Sequence, residues 1–161
     1  MNTEELISLL RQNARASTED LARELNSTEE RVAEEIATLE QDGVVLGYQA
    51  IVNSQMLSSN CVEAVVEVRL TPERGGGFDR LAARIARFES VVSCYLMSGS
   101  YDLLVVVRGE TLQEIATFIS EKLSTIKGVV STATHFRLKA YKENGVGLQR
   151  EEQSQRLAVA P

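Results

Sequence analysis

The sequence is poor in the side chains that metal and redox chemistry need. It has one histidine, His135, and two cysteines, Cys61 and Cys94. They are far apart and form no Cys-x-x-Cys, which excludes the usual zinc-ligand spacings and a dithiol motif. No metal or cofactor is therefore expected, and the cysteines read as small buried or half-buried residues in a reducing compartment. No apolar run approaches the ~18 residues of a transmembrane helix. The first residues, Met1-Asn2-Thr3-Glu4-Glu5, are acidic and lack an apolar core, so they do not read as a signal peptide. The expected location is the cytoplasm. Gly75-Gly76-Gly77 lacks the Lys-Ser/Thr of a phosphate loop, and no nucleotide is read into it. There is no Ser-His-Asp or Cys-His set and no carboxylate pair at catalytic spacing, so an enzyme is not expected. Nor is there an excess of positive charge. Seventeen Lys and Arg stand against 23 Asp and Glu, a formal net charge of −6.

What is present is strong periodicity. The 161 residues suffice for one domain or two small ones. Residues 1–52 read as three helices and a strand. Asn2 with Glu5 fits a capping box for the first, with Leu6, Ile7, Leu9 and Leu10 on its apolar side. Ser17 with Asp20 opens a second, and Ser27 with Glu30 a third. In the third, Val32, Ile36 and Leu39 form one stripe on a 3.6-residue period. Gly43 stops it, and Val44–Val52 has strand character. This is the layout of a winged helix-turn-helix, with a generic three-helix bundle as the plain alternative. Residues 53–61 are polar and Ser-rich, a candidate hinge.

The pattern then changes. Val62, Ala64, Val66, Val68 and Leu70 alternate with Glu63, Glu67 and Arg69, which predicts a strand over 62–70. Phe78, Leu81, Ala82, Ile85 and Phe88 predict a helix. Strands follow over 91–97 and 101–108. Leu112, Ile115, Ala116, Ile119 and Leu123 predict a second helix, and 129–141 a long last strand. The order β-α-β-β-α-β is a ferredoxin-like unit over 62–142, so the fold class is α+β. Residues 143–161 read as a frayed tail. The strands at 91–97 and 101–108 are apolar on both faces. Helices cover one face of such a sheet, and a second copy of the chain is the natural cover for the other, giving a homodimer.

Between those two strands lies Ser98-Gly99-Ser100-Tyr101-Asp102. Hydroxyls, a carboxylate and a glycine gather at one turn. Backbone N–H groups and hydroxyls could take the carboxylate of a small zwitterion, and Asp102 its ammonium. The plain alternative is a hairpin whose aspartate ties its own backbone.

Leu-Glu-Gln-Asp-Gly-Val-Val-Leu-Gly-Tyr-Gln-Ala (39–50), Gly-Ser-Tyr-Asp (99–102) and Ser-Thr-Ala-Thr-His-Phe (131–136), set in this two-unit layout, resemble the leucine-responsive/asparagine-operon (Lrp/AsnC) regulator family over about residues 3–142. The resemblance implies a helical unit that binds promoter DNA and a C-terminal RAM-type unit that assembles dimers and often octamers. It implies an effector, usually an amino acid, at Ser98, Gly99, Ser100, Tyr101 and Asp102, with Thr132 and Thr134 as further candidates. On the third helix it points to Arg31 as the cation for DNA, with Thr28 and Thr38 as polar contacts. Some proteins of this two-unit layout also resemble decarboxylases of modified tetrapyrroles, but a single His135 does not suit that chemistry.

Charge argues the other way. Residues 1–52 hold eleven acids and four arginines, a net −7, and the remainder carries +1. Glu29, Glu30, Glu34 and Glu35 are expected along the outer side of the third helix, opposed by Arg31 alone. Carboxylates on a docking face repel phosphates. Two functions follow: a DNA-binding regulator that senses a metabolite, or a metabolite-sensing oligomer whose acidic helical unit binds a protein.

Overall fold

The computed structural model describes residues 2–57, 61–72 and 77–148. Gly75, Gly76, part of the hinge and the tail beyond Leu148 lie outside them. The chain divides into two compact units, Met1–Ile51 and Val52–Pro161.

The first unit holds α1 (Thr3–Gln12), α2 (Thr18–Glu24) and α3 (Glu29–Gln41) around Leu6, Leu10, Leu21, Ala22, Val32 and Leu39. Each helix opens on a polar cap. Asn2 accepts from the Glu4 N–H at 3.1 Å. The Ser17 hydroxyl accepts from the Asp20 N–H at 3.0 Å and donates to the Asp20 carboxylate at 2.7 Å. That hydroxyl, with Arg23 behind it, holds the Asp20 carboxyl below the ordinary carboxylate range. The third cap falls one residue later than the Ser27-Glu30 spacing predicts. Thr28 caps α3, accepting from the Arg31 N–H at 3.4 Å. The tight turn before it decides this: Asn26 takes φ 48° and the Ser27 N–H bonds back to the Ala22 carbonyl at 2.9 Å. This turns Ser27 inward, where its hydroxyl has no partner among the described residues. Val44–Val52 is not a paired strand here. Its composition suits a strand, but strand structure needs a neighbouring ladder.

The second unit is the ferredoxin-like one. Strands β1 (Val62–Leu70), β2 (Val91–Leu96), β3 (Leu103–Gly109) and β4 (Val129–Phe136) form one antiparallel sheet in the order β2-β3-β1-β4. Helix α4 (Asp79–Ile85) follows β1, and α5 (Leu112–Thr117) follows β3. The Thr111 hydroxyl caps α5 by accepting from the Glu114 N–H at 3.1 Å. α5 runs on into a π-turn, Phe118–Leu123, closed by the Ser124 N–H on the Ile119 carbonyl at 2.8 Å. The wider turn brings Phe118, Ile119 and Leu123 all onto the sheet, and Phe118 meets Phe88 edge-on with ring centroids 5.2 Å apart. Leu112, expected on this apolar face, is exposed instead.

Ala64, Val66 and Val68 of β1 and Leu103, Val105 and Val107 of β3 are fully buried beneath these helices. Burial of each valine or leucine stabilises the fold by roughly 1.5–3 kcal/mol. The opposite face is open in the single chain: Val65, Leu104 and Val106 are half-buried and Tyr95 is exposed. The last strand ends at Phe136, short of the expected Tyr141. Lys142–Glu143 and Val146–Gly147, the latter in the expected tail, form a small hairpin instead. Its two-residue turn is Asn144-Gly145, both at positive φ, a strong hairpin signal that the polar composition of the tail obscured. Cys94 is half-buried, and burial pushes its thiol pKa up, whereas Cys61 is exposed rather than buried. Among the described residues no helix is long and apolar enough to cross a membrane.

The turn before β4 depends on Gly128. It holds φ 102°, and an added Cβ would lie 2.7 Å from the Leu81 side chain of α4. Its carbonyl accepts from the Thr71 N–H at 2.8 Å. Gly128→Ala is expected to cost about 1–3 kcal/mol, measured as a lower urea midpoint with an unchanged slope.

Candidate functional site

Two places carry the candidate residues. The first is the exposed side of α3. Val32, Ile36 and Leu39 turn inward, so a 3.6-residue period sends Arg31, Glu34 and Thr38 outward together. Thr28 sits at the N-cap, exposed, with its hydroxyl engaged by the helix backbone. Thr38 is likewise exposed while donating to the Glu34 carbonyl at 2.9 Å. Both hydroxyls keep lone pairs for an outside donor.

Of the four carboxylates expected outward, Glu29, Glu30 and Glu34 are exposed and Glu35 is half-buried. Glu35 accepts from the Thr3 hydroxyl of α1 at 2.5 Å. Glu29 accepts from the Thr18 hydroxyl of α2 at 3.5 Å. Glu30 folds back on the N-cap: its own backbone N–H and the Thr28 hydroxyl hold its carboxyl below the ordinary range. Glu34 alone of the four has no side-chain bond among the described residues. Further along, Glu40 accepts from the Tyr48 hydroxyl at 2.9 Å, and burial with this carboxylate raises the Tyr48 pKa. Glu19 and Asp20 are spent on Arg23, at 2.8 and 3.1 Å. Many of these carboxylates thus serve as caps and ties between helices, while the unit keeps its net −7.

The second place is the β2–β3 hairpin. Ser98, Gly99 and Ser100 are exposed, and Tyr101 and Asp102 half-buried. Gly99 holds φ 135° with open space where a side chain would be, so it serves the turn and not a close approach. Asp102 is the structural pivot. Its N–H donates to the Val68 carbonyl at 3.0 Å, its carbonyl accepts from the Met97 N–H at 2.8 Å, and its carboxylate accepts from the Leu70 N–H at 2.7 Å. β1 is bulged at Arg69/Leu70, and the carboxylate supplies the acceptor that this break in the ladder withdraws. The tie is therefore to another strand, not to the turn's own backbone. The other carboxylate oxygen has no hydrogen-bond partner among the described residues.

Thr132 and Thr134 pair with Val68 and Val66, whose side chains are on the helix-covered face, so the threonines share that face. The Thr132 hydroxyl lies 3.2 Å from that of Ser124. Leu103 and Thr132 both pair with Val68, which puts the hairpin and Thr132 at one end of the sheet, two strands apart, or about 9–10 Å. His135 faces the open side, 3.4 Å from Glu67. On that side Glu63 is nearly buried and clamped by Arg108 at 3.1 Å and Arg137 at 2.9 Å, and Arg137 also reaches Glu143 of the small hairpin at 3.0 Å. Sequence alone did not single out this network, because its members are scattered along the chain.

If Asp102 ties β1, Asp102→Ala should lower stability by about 1 kcal/mol. Asp102→Asn keeps an acceptor oxygen and should lose less, as read by urea denaturation of the two variants side by side.

The comparisons with known proteins agree with this architecture. The model of the Lrp/AsnC ligand binding domain matches residues 63–146. An uncharacterized HTH-type transcriptional regulator of Bacillus subtilis, YugG, is 41% identical over 158 residues, covering 98% of this chain and 95% of its own. The proline dehydrogenase transcriptional activator of Rhodobacter capsulatus is 30% identical over 131 residues, covering 81% and 84%. A crystal structure of a Neisseria meningitidis transcriptional regulator in complex with L-Met superposes with a TM-score of 0.68 at 20% identity, covering 89% of this chain and 92% of that one. With its three-helix unit, its β-α-β-β-α-β sheet and these matches across nearly its whole length, the chain belongs to the Lrp/AsnC family of transcriptional regulators.

Proposed function

We propose that residues 1–52 dock α3 on promoter DNA, that 53–61 link the units, and that 62–142 bind an amino acid and assemble the protein, all in the cytoplasm. The observation that carries the DNA reading is the side chain count on the outward face of α3. Arg31 and Thr38 stand there beside one unengaged carboxylate, Glu34, with Thr28 at the cap. A cation and hydroxyls on an exposed second helix of a helix-turn-helix suit phosphate and base-edge contacts. The protein-partner reading rested on four outward carboxylates, of which Glu29, Glu30 and Glu34 are exposed.

For the effector, the L-Met complex of the Neisseria relative supports an amino acid. Ser98, Gly99, Ser100 and Tyr101 offer backbone N–H groups and hydroxyls for its carboxylate, and the free oxygen of Asp102 suits its ammonium. Thr132, at the same end of the sheet, and Thr134, two residues further along β4, are further candidates. For assembly, Val65, Leu104, Val106 and Tyr95 leave an apolar strip on the open sheet face. A second copy covers it in a homodimer, and dimers build the octamer the family forms.

A mobility-shift titration on the DNA upstream of the protein's own gene, at about 150 mM salt because affinity is salt-dependent, tests the regulator reading. A specific shift altered by an amino acid is expected. No shift with or without amino acids would return the search to protein partners. Separately, Val106→Asp puts an unpaired charge in the apolar strip, and light scattering should then show monomers with the circular dichroism of the wild type.

A further inference from the structure

The second unit is near neutral overall, yet it gathers cations at one place. Arg80 and Arg84 lie on α4, and Arg87 follows one turn beyond them, an i, i+4, i+7 stripe on one side. Lys127 joins them from the turn before β4. The four line a surface cavity of about 450 Å³ with Leu81 and Ala83 at its wall. All four are exposed.

Lys127 is there by construction. Ile126 before it is buried in the core, and Gly128 after it is pressed on Leu81 of α4. The residue between these two anchors must emerge beside the arginine stripe. Among the described residues, Arg84, Arg87 and Lys127 have no carboxylate within ion-pair distance. Arg23, Arg108 and Arg137 each hold one or two carboxylates, whereas among the described residues Arg11, Arg15, Arg31 and Arg69 stand singly without one; the α4 stripe differs in gathering Arg84, Arg87 and Lys127 at one place. Asp79 and Glu89 flank the stripe without closing on those three. Gathering like charges costs energy unless an anion offsets it.

We propose that this stripe is a second phosphate contact for the DNA duplex, carried by the C-terminal unit; the inference rests on the DNA-binding reading above. Seven helical residues span about 10 Å, and a duplex carries about six phosphate charges over that length. The stripe is open and elongated, with cations on long side chains, which suits a running backbone rather than one enclosed anion. It also supplies charge that the acidic helical unit lacks: that unit has four arginines, and Arg23 is spent on Glu19 and Asp20.

The test compares full-length wild type with the triple variant Arg84→Ala, Arg87→Ala, Lys127→Ala and with the charge-keeping Arg84→Lys, Arg87→Lys. Anisotropy titrations on the labelled upstream duplex are run over a range of salt concentrations. The triple variant should bind about tenfold or more weakly near 150 mM salt, with the slope of log K on log salt reduced by about 2–3, since each phosphate contact contributes about 0.9. The lysine pair should keep the wild-type slope. A triple variant with wild-type affinity and slope overturns the proposal and leaves the α3 reading standing. A wild type that binds no duplex overturns both. Calorimetry with inorganic tripolyphosphate separates the remaining source: if the triple variant loses tripolyphosphate but binds DNA as before, the site serves a free polyanion and the proposal fails.

Discussion

The ladder between β1 and β3 is the constraint on which the C-terminal unit depends. Both strands are central, and each is buried on its helix side at every second residue from Ala64 to Val68 and from Leu103 to Val107. A slip of one residue would turn that whole set to the other face. The register is held at the hairpin end by Asp102, whose N–H, carbonyl and carboxylate join β3 to β2 and to both sides of the β1 bulge. The residue proposed to meet an effector ammonium is thus also the one that fixes the strand ends. A ligand there would act directly on the frame of the sheet.

Charge is distributed by the same logic of occupied and unoccupied groups. The helical unit is strongly acidic by count, but its carboxylates cap helices and tie one helix to another. The cost of these ties is small because most are solvent-exposed, where an ion pair contributes about 0–1 kcal/mol. Their effect is positional: a carboxylate that accepts a hydrogen bond keeps its charge, and the ties fix only where that charge sits. In the second unit, Glu63 and Glu143 pair with Arg108 and Arg137 on the open sheet face, while the arginines of the α4 stripe and Lys127 gather on the outer side of the helix layer.

The elements themselves were legible wherever one period dominated. β1 matches its alternation from Val62 to Leu70, and α1 to α3 and the two helices of the second unit follow from their apolar stripes. Legibility failed where a neighbour decides. Val44–Val52 has strand composition and no ladder. The cap of α3 moved from Ser27 to Thr28 because the Asn26 turn carries Ser27 inward. The π-turn after α5 put Phe118 in the core where an α-period had not asked for it. Asn144-Gly145 was legible in principle, as a local turn signal inside a polar stretch.

The sequence by itself determined the order of elements, the two-unit layout and the faces to be buried, because hydrophobic spacing and turn chemistry are local properties of the chain. Tertiary structure alone decided what each polar side chain does. Asp102 meets Leu70 and Glu35 meets Thr3 across 32 positions of sequence each. Lys127 meets the α4 arginines only because Gly128 closes on Leu81. Hydrogen bonds and ion pairs act over a few ångströms in space, and no spacing along the chain reports which groups folding will bring that close.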